Sequence, residues 1–259
     1  MRVSEERWAL RVGFKSVLRN LVRKGGYDVH HYPTSCGVLH QEHLFTQLSR
    51  LKVNCVIDVG AHFGEFGNYL RVLGYRGRIV SFEPVSKSFS VLAQRATADR
   101  DWHTYNRALG ANPGRLRIRI AKSSDMSSFL TPTEYCNSDF ASEITLEEED
   151  MVEVGTIDAC YEDCISGIEN PHVFLKTDTQ GYDINVLRGA KSCMSKLVGI
   201  QAEVSVRPLY EGGTPYLTAI QFMADMGFDL TGLFVVNRDR HLRVIEFDCV
   251  VVNRTLCSD

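Results

Sequence analysis

The sequence predicts an α/β fold with a parallel sheet, on two observations. Residues 53–59 form a nearly continuous apolar run rich in β-branched side chains, which is typical of a strand buried on both faces. Similar strand patterns at 78–83 and 102–107 alternate with helical patterns at 65–73 and 88–98. Alternation at this spacing indicates parallel strands connected by helices.

The later elements follow from the same patterns, with strands at 116–120, 152–157, 173–177 and 198–204 and helices at 183–194 and 215–226. The apolar runs 228–236 and 245–252 are close enough to pair as a hairpin. Residues 122–151 are polar and end in four consecutive acidic residues, which predicts a mobile flap or an exposed insertion there.

The first thirty residues carry a basic amphipathic pattern that predicts a helix ending near Gly25, and a second helical pattern spans 40–51. We therefore expect a helical extension over 1–52 and one main domain over 53–259. The basic helix has two interpretations. It either lies on an anionic membrane surface or packs on the body of the protein or on a second subunit of a homo-oligomer.

Composition narrows the class of protein. The chain has 259 residues, 44% of them hydrophobic, which is enough for one substantial core. Its net charge of −3 disfavours nucleic acid as the main partner, because duplex-binding proteins usually carry a basic excess. Eight scattered cysteines without a C-x-x-C pair indicate reduced thiols. With neither a secretory signal pattern nor a bilayer-spanning apolar run, the sequence predicts a cytoplasmic protein.

A glycine-containing loop follows the first predicted strand, where backbone N–H groups can approach a ligand. Gly60 removes a Cβ that would block this approach, and Gly64 permits tight packing at the start of the helix. The loop lacks the middle glycine of dinucleotide-binding loops, which disfavours a pyrophosphate and hence an NAD-dependent oxidoreductase. Asp58 adds a carboxylate that suits a positively charged ligand group.

Glu83 ends the second predicted strand, where an acidic side chain can accept hydrogen bonds from both hydroxyls of a ribose. Together with the glycine loop, it indicates an adenosyl ligand that carries a positive charge, namely S-adenosylmethionine. The alternative explains the two features separately, with a glycine kept for packing and a solvated glutamate at a strand end.

Several segments, in order along 53–253, resemble the FkbM family of S-adenosylmethionine-dependent methyltransferases: 58–64, 77–84, 106–110, 127–128, 175–183, 186–190 and 201–203. The resemblance implies a Rossmann-like seven-stranded sheet with an antiparallel last strand, and a catalytic domain over 53–259. It also implies O-methylation of a sugar, glycan or natural-product hydroxyl. An N- or carboxyl-directed methyltransferase and a catalytically silent adenosyl-binding scaffold protein are the alternatives, because this fold does not record the acceptor.

The resemblance implies a set of cofactor-binding residues: Asp58, Gly60, Ala61, His62, Gly64, Glu83, Pro84, Asn106, Ala108 and Leu109. Ala108 or Leu109 is expected beside the adenine. The chain departs from the family at His62, where asparagine is usual, and at Gln180, where glutamate is frequent. Both positions are expected near the reaction centre and therefore bear on the choice of substrate.

Asp178 and Glu203 end two later strands, and we expect their carboxylates to lie side by side at the carboxyl edge of the sheet. Such a pair can share a proton, orient a sugar diol or bind Mg²⁺, although no decisive metal-ligand spacing occurs. Asp178 is the candidate base or acceptor-orienting group, with capping of the following helix as the alternative. Lys176 is expected to pair with one of these carboxylates or to reach the rim.

His62 is a further candidate base because its unperturbed pKa is near neutral, and a hydrogen-bonded spacer in the cofactor loop is the alternative. Gln180, Ser128, Tyr210 and Glu211 are the candidate substrate-binding residues. Tyr210 can stack on a sugar ring or form a packing corner, and the polar segment around Ser128 can close over the site.

Overall fold

The computed structural model describes residues 36–256, with side chains described from residue 40. Strands and helices alternate along most of this length, in the order α1 (Cys36–Arg50), β1 (Cys55–Val59), α2 (Glu65–Val72), β2 (Arg78–Phe82), α3 (Ser86–Ala96), β3 (Trp102–Tyr105), β4 (Ala108–Leu109), β5 (Gly114–Ala121), α4 (Glu134–Asp139), β6 (Leu146–Gly155), α5 (Ile157–Ile165), β7 (Val173–Thr177), α6 (Asp183–Arg188), β8 (Leu197–Ser205), α7 (Tyr216–Asp225), β9 (Phe228–Arg238) and β10 (Val244–Asn253). Short 3₁₀ helices lie at Ser124–Met126 and Met194–Lys196.

The main sheet has seven strands in the order β3-β2-β1-β7-β8-β10-β9. Strand β1 pairs in parallel with both β2 and β7, whereas β10 is antiparallel to both β8 and β9. The expected seven-stranded Rossmann-like sheet with an antiparallel last strand is therefore confirmed. Chain order reverses at β1 and β7, and ligands of open α/β sheets bind beyond the carboxyl ends of the strands at such a switch point.

The central strands are buried on both faces because successive side chains point to opposite sides of the sheet. Ile57 and Leu175 pack beneath α5, α6 and α7 on one face. Val56 and Phe174 pack on the other face, against α2, α3 and α1. Each run of apolar residues thus supplies two layers of the core, which explains why these strands lack an alternating polar pattern.

Residues 146–151, part of the mobile flap or exposed insertion predicted over 122–151, are instead the first part of the strand predicted at 152–157. Residues 146–155 form β6, the central strand of a separate three-stranded sheet with the order β4-β6-β5. The acidic run is tolerated in this strand because it is exposed and because Glu149 lies 3.1 Å from Arg117 and 3.2 Å from Arg119. Helix α5 was also not expected, although Thr156 is a typical N-cap whose hydroxyl accepts a hydrogen bond from Ala159 N–H.

Helix α1 confirms the helical pattern predicted at 40–51, and it packs on the sheet through Leu44 and Leu48, which are almost fully buried. The basic helix predicted before Gly25 lies outside the described residues, and the boundary between extension and main domain stays a prediction. Among the helices of residues 36–256, none combines the length and apolar composition that crossing a bilayer requires.

Candidate active site

A cavity of about 290 Å³ opens at the carboxyl ends of the central strands. Its wall is completed by the segment 124–129 and by the hairpin of β9 and β10. The lining residues are Val59, Gly60, His62, Phe82, Glu83, Pro84, Val85, Ala108, Leu109, Ile118, Ser124, Asp125, Met126, Ser127, Ser128, Phe129, Asp178, Thr179, Gln180, Glu203, Val236, Asn237 and Glu246. The sheet thus brings together most of the residues that the sequence predicts for the site.

Gly60 lines the cavity in the left-handed region, with φ of 76°. Its expected role was to admit a ligand, and the structure gives a second reason for the glycine. A Cβ at this position would lie 1.9 Å from the carbonyl oxygen of Asp178. The absence of a side chain at Gly60 therefore allows the end of β7 to approach the loop. Gly64 has the expected packing role, since its Cβ would lie 2.8 Å from Leu92 Cδ1.

His62 also has a positive φ, 49°, a conformation that suits both histidine and the usual asparagine, because Asn, Asp and His are the residues enriched there. Its backbone N–H donates to Glu83 Oε2 at 2.8 Å. The ring lies with Nε2 2.6 Å from Ser124 Oγ and Nδ1 3.5 Å from Glu65 Oε2. With both ring nitrogens engaged, the geometry favours the spacer interpretation over a base.

Glu83 is only 5% exposed and faces the cavity. Its two carboxylate oxygens accept hydrogen bonds from the backbone N–H groups of His62 and Val85 at 2.8 and 2.9 Å, which fixes their orientation. Burial raises the pKa of Glu83 to about 7, and the two backbone hydrogen bonds act against this shift. The second strand therefore ends in a carboxylate held rigidly toward the ligand space.

The remaining cofactor candidates divide into two groups. Pro84, Ala108 and Leu109 line the cavity. Asn106 is exposed and does not; its side-chain amide donates to the carbonyl oxygens of Glu83 and Pro84 at 2.9 and 3.1 Å and holds this wall in place. Ala61 is likewise outside the cavity, buried in the core beneath the loop.

Asp58 is fully buried and does not line the cavity, which differs from its expected position at the charged end of a ligand. One oxygen lies 3.2 Å from Lys176 Nζ, and the other accepts a hydrogen bond from Ser81 at 3.1 Å. Strands β1 and β7 are adjacent, and their register places Asp58 directly opposite Lys176. The carboxylate therefore binds a cation of the protein itself.

Lys176 connects this buried pair to the cavity. Its Nζ also lies 3.5 Å from Asp178 Oδ2 and 3.3 Å from the carbonyl oxygen of Gly60. Burial acts to lower the pKa of Lys176, but the charges of Asp58 and Asp178 outweigh it and raise the pKa above the ordinary lysine value. The expected pairing of Lys176 with a strand-end carboxylate is thus present, and the ammonium stays outside the cavity.

Asp178 and Glu203 both face the cavity, from the ends of the neighbouring strands β7 and β8. The side-chain amide of Gln180 lies 3.4 Å from an oxygen of each. Burial raises the pKa of Glu203 well above its ordinary value, and the charges of Glu246 and Asp178 add to this effect. Helix α6 has no side-chain cap at its N-cap residue, Tyr182, which disfavours the capping alternative for Asp178.

The other substrate candidates separate clearly. Gln180 and Ser128 line the cavity, and the Ser128 hydroxyl donates to the Gln180 carbonyl oxygen at 2.7 Å. Tyr210 is only 3% exposed and outside the lining, with its hydroxyl 3.1 Å from Gln180 Oε1 and 2.8 Å from Met126 O. Of the two alternatives for Tyr210, the structure therefore favours a packing corner over stacking on a sugar ring. Glu211 is exposed and does not reach the cavity.

The charge of the lining decides between ligand classes. Among the described residues that line the cavity, five carry carboxyl groups and none is lysine or arginine: Glu83, Asp125, Asp178, Glu203 and Glu246. A pyrophosphate would be repelled here, whereas a sulfonium with an amino group is attracted. These residues therefore fit S-adenosylmethionine and not NAD. Within residues 36–256, no group of three or more His, Cys, Asp or Glu side chains is arranged to hold a metal ion.

The model of the Methyltransferase FkbM domain family matches residues 58–230, well over half of the chain. The chain belongs to the FkbM methyltransferase family. It is an S-adenosylmethionine-dependent methyltransferase, as the sequence resemblance implied. Comparison of this FkbM methyltransferase with curated proteins gives no match.

Two solved structures are similar to this FkbM methyltransferase. One is fibrillarin from Aeropyrum pernix in complex with S-adenosyl-L-methionine, with 11% sequence identity and a TM-score of 0.43, covering 77% of this chain and 66% of that one. The other is magnesium protoporphyrin IX methyltransferase from Synechocystis with the same bound cofactor, with 12% identity and a TM-score of 0.44, covering 92% and 96%.

Among the lining residues of this FkbM methyltransferase that were not expected from the sequence are Asn237 on β9 and Glu246 on β10. Glu246 is 3% exposed and accepts hydrogen bonds from Asn237 Nδ2 and Ser205 Oγ, both at 3.1 Å. A signal was present, because a glutamate within a largely apolar strand is seldom buried without a function or a partner. The hairpin was predicted, but its contribution to the site was not.

Proposed function

We propose that this methyltransferase transfers the methyl group to a hydroxyl of a sugar, glycan or natural product, with Asp178 as the base. One observation carries the proposal. The Asp178 carboxylate lies at the cavity wall while the ammonium of Lys176, 3.5 Å away, stabilises its negative charge from behind. An ionised carboxylate facing the cavity can accept the proton that a hydroxyl loses during transfer.

Bound S-adenosylmethionine supplies a methyl group made electrophilic by its sulfonium. The protein must therefore align the acceptor and remove its proton. Gln180 contacts both Asp178 and Glu203, so that the two carboxyl groups keep a fixed separation. Burial raises the pKa of Glu203 well above its ordinary value, which favours the protonated carboxyl, and a protonated carboxyl can donate a hydrogen bond to an acceptor oxygen.

The wall opposite the strand ends is a segment that hydrogen bonds hold in place. Ser124, Ser128 and Phe129 of the segment between β5 and α4 face the cavity, and the first two are held by hydrogen bonds to His62 and Gln180. The polar segment predicted to close over the site thus forms part of its wall.

N-methylation is a second candidate, favoured by the five carboxyl groups of the lining, which would attract a cationic amine. Methylation of a carboxylate is disfavoured by the same set of charges. A cytoplasmic location belongs to the proposal and is supported by the six described cysteines, which form no disulfides. Fractionation of the native cells tests the location.

Calorimetric titration with S-adenosylmethionine and S-adenosylhomocysteine tests the cofactor site, and labelled methyl transfer to neutral glycosides, glycans and amines tests the acceptor. Mass spectrometry then locates the methyl group. Asp178→Asn should keep cofactor affinity and lose turnover by about 10²–10⁴-fold, the usual contribution of a general base. Asp163→Asn, which changes an exposed carboxyl outside the cavity, is the matched control. Unchanged turnover of Asp178→Asn would remove this residue from the mechanism.

A further inference from the structure

We propose that Glu246 and Asn237 form the acceptor subsite of this cavity and select a neutral, hydroxyl-bearing group over an anionic one. The inference rests on the proposed function, because it concerns the second ligand of the same site. Both residues belong to the hairpin that closes the sheet, and both line the cavity.

The position of the hairpin separates this subsite from the cofactor side. Glu83 follows β2 and Glu246 lies on β10, with β1, β7 and β8 between these two strands. Four strand spacings amount to about 19 Å. Asp178 and Glu203 lie between the two ends, on β7 and β8. An acceptor bound against the hairpin therefore reaches Asp178 from the side opposite Glu83.

Glu246 is built into the wall and cannot move freely. It is 3% exposed, and its two oxygens accept hydrogen bonds from Ser205 Oγ and Asn237 Nδ2, each at 3.1 Å. Strand pairing places Asn237 opposite Glu246, so the contact is fixed by the backbone. A side chain held in this way presents a constant surface to an acceptor.

The side-chain oxygen of Asn237 is an acceptor that lacks a hydrogen-bond donor within residues 36–256. Its amide nitrogen is used by Glu246, which leaves Oδ1 to face other groups. Oδ1 is buried, and no donor among the described residues hydrogen-bonds to it. Buried acceptors are nearly always satisfied, so an unsatisfied one on a cavity wall indicates a donor that comes with the ligand. A hydroxyl is such a donor.

The charges select the class of acceptor. Asp178, Glu203 and Glu246 all face this end, and no lysine or arginine of the described lining faces them. An acceptor bearing a carboxylate or phosphate would be repelled. Burial raises the pKa of Glu246 to about 7 and raises that of Glu203 well above its ordinary value. Glu246 is therefore present in both forms near pH 7: the ionised form repels an anion and accepts from a hydroxyl group, and the protonated form can donate to one.

Three matched probes test the inference: a neutral methyl hexoside, the corresponding hexuronate and the corresponding amino sugar. Their binding to the protein loaded with S-adenosylhomocysteine is measured by saturation-transfer NMR, and their methylation is measured with labelled donor. The neutral hexoside should bind, and the hexuronate should bind at least about tenfold more weakly, as expected for one repulsive unit charge at short range.

Two variants assign the selection to the hairpin. Glu246→Gln should weaken the binding of the neutral hexoside and lower the ratio of its affinity to that of the hexuronate. Asn237→Asp adds a charge and should raise this ratio of affinities. Affinity for S-adenosylhomocysteine is measured in parallel and should be unchanged in both, which also shows that the variants are folded. Glu169→Gln changes an exposed carboxyl outside the cavity and is the control. It should change neither the preference for the neutral hexoside nor the affinity for S-adenosylhomocysteine.

The outcomes are distinct. A protein that does not bind S-adenosylhomocysteine contradicts the proposed function itself. If it binds that product but prefers the hexuronate or the amino sugar, or binds none of the three probes, the subsite assignment is overturned. The same holds if both hairpin variants keep the wild-type preference, since the selection would then lie elsewhere in the cavity.

Discussion

Lys176 Nζ lies 3.2 Å from Asp58 Oδ1 in the interior of the sheet, where the side chains of both residues are almost inaccessible to solvent. The two residues face each other across β1 and β7. The same ammonium lies 3.5 Å from Asp178 Oδ2. A fully buried carboxylate of the first strand thus fixes the cation that orients the proposed base. Lys176 is in this sense a positioning residue.

Loss of the ammonium should therefore be costly. Lys176→Met leaves the Asp58 carboxylate buried without a counter-charge, and breaking such a pair typically destabilises by about 3–5 kcal/mol. Urea unfolding followed by circular dichroism measures the change. Lys196→Met removes an exposed cation paired with Glu162 and should cost less than about 1 kcal/mol.

The double variant Asp58→Leu, Lys176→Met is the internal check on this prediction. Replacement of both partners by apolar groups should recover much of the lost stability, because no unpaired charge remains in the interior. A double variant as unstable as the sum of its parents would show that the pair is not the cause.

Cofactor affinity should depend on pH through Glu83. Its pKa in the folded protein is about 7, against about 4.3 for an unperturbed glutamate, so the carboxyl is protonated below pH 7 and ionised above it. Ribose hydroxyls donate to the ionised form. Affinity for S-adenosylhomocysteine should therefore fall as the pH drops from 8 to 6, at most about tenfold per unit.

Calorimetry in buffers of different ionisation enthalpy measures the proton released on cofactor binding near pH 7. Glu83→Gln carries no titrating group, so it should bind more weakly than the wild type at pH 8 and lose this pH dependence. A wild-type protein whose affinity is flat between pH 6 and pH 8 would contradict the assignment of Glu83 to the ribose.

The direction in which the stability of the free protein changes with pH follows from the same pKa values. Because the folded pKa of Glu83 is raised, the folded state binds the proton more tightly than the unfolded state. The stability of the free protein should therefore decrease as the pH rises from about 4.3 through about 7. Glu246 has a similarly raised pKa and contributes in the same direction. Thermal unfolding at constant ionic strength across this range checks the sign, and Glu83→Gln should flatten the slope.

Gly60 offers a test of the contact between the loop and β7. Gly60→Ala places a Cβ 1.9 Å from the Asp178 carbonyl oxygen, so the backbone that carries the proposed base must move. Gly74→Ala is the control: its φ is also positive, 96°, but nothing lies within 4 Å of the added Cβ. The control should lose only about 1–2 kcal/mol of stability, the cost of a left-handed conformation for a residue with a Cβ, and it should keep its turnover. Gly60→Ala should lose more stability and most of its turnover, as measured by unfolding and methyl-transfer assays.

Apolar runs made the central sheet predictable. The observed bounds of β1, β2, β7 and β8 lie close to the predicted ones because continuous burial on both faces leaves a clear pattern. The positions of Glu83, Asp178 and Glu203 at the cavity follow directly, since parallel strands end at one edge.

The features of the fold and of the site that the sequence did not predict depend on contacts between distant segments. The first part of β6, residues 146–151, was missed because Glu149 in this acidic run is paired with arginines of β5, which lie far from it in the sequence. Glu246 was missed because β10 carries register irregularities on both sides of this residue, and an irregular strand does not follow the alternation that predicts which side chains face the site. Gly60 was recognised, but its contact with Asp178 requires the fold.

His62 provides the last test, because it decides between a base and a spacer. His62→Asn restores the residue usual in the family, and asparagine tolerates the positive φ of 49°. The backbone hydrogen bond to Glu83 does not depend on the side chain and should persist. As a spacer, His62 can be replaced with little loss: we expect the variant to keep its affinity for S-adenosylhomocysteine and its turnover within about tenfold. A general base would cost about 10²–10⁴-fold, so a loss of that size would assign the proton transfer to His62. His62→Val is the matched control for the backbone, because a β-branched residue is strained at this φ and should lower the melting temperature where asparagine does not.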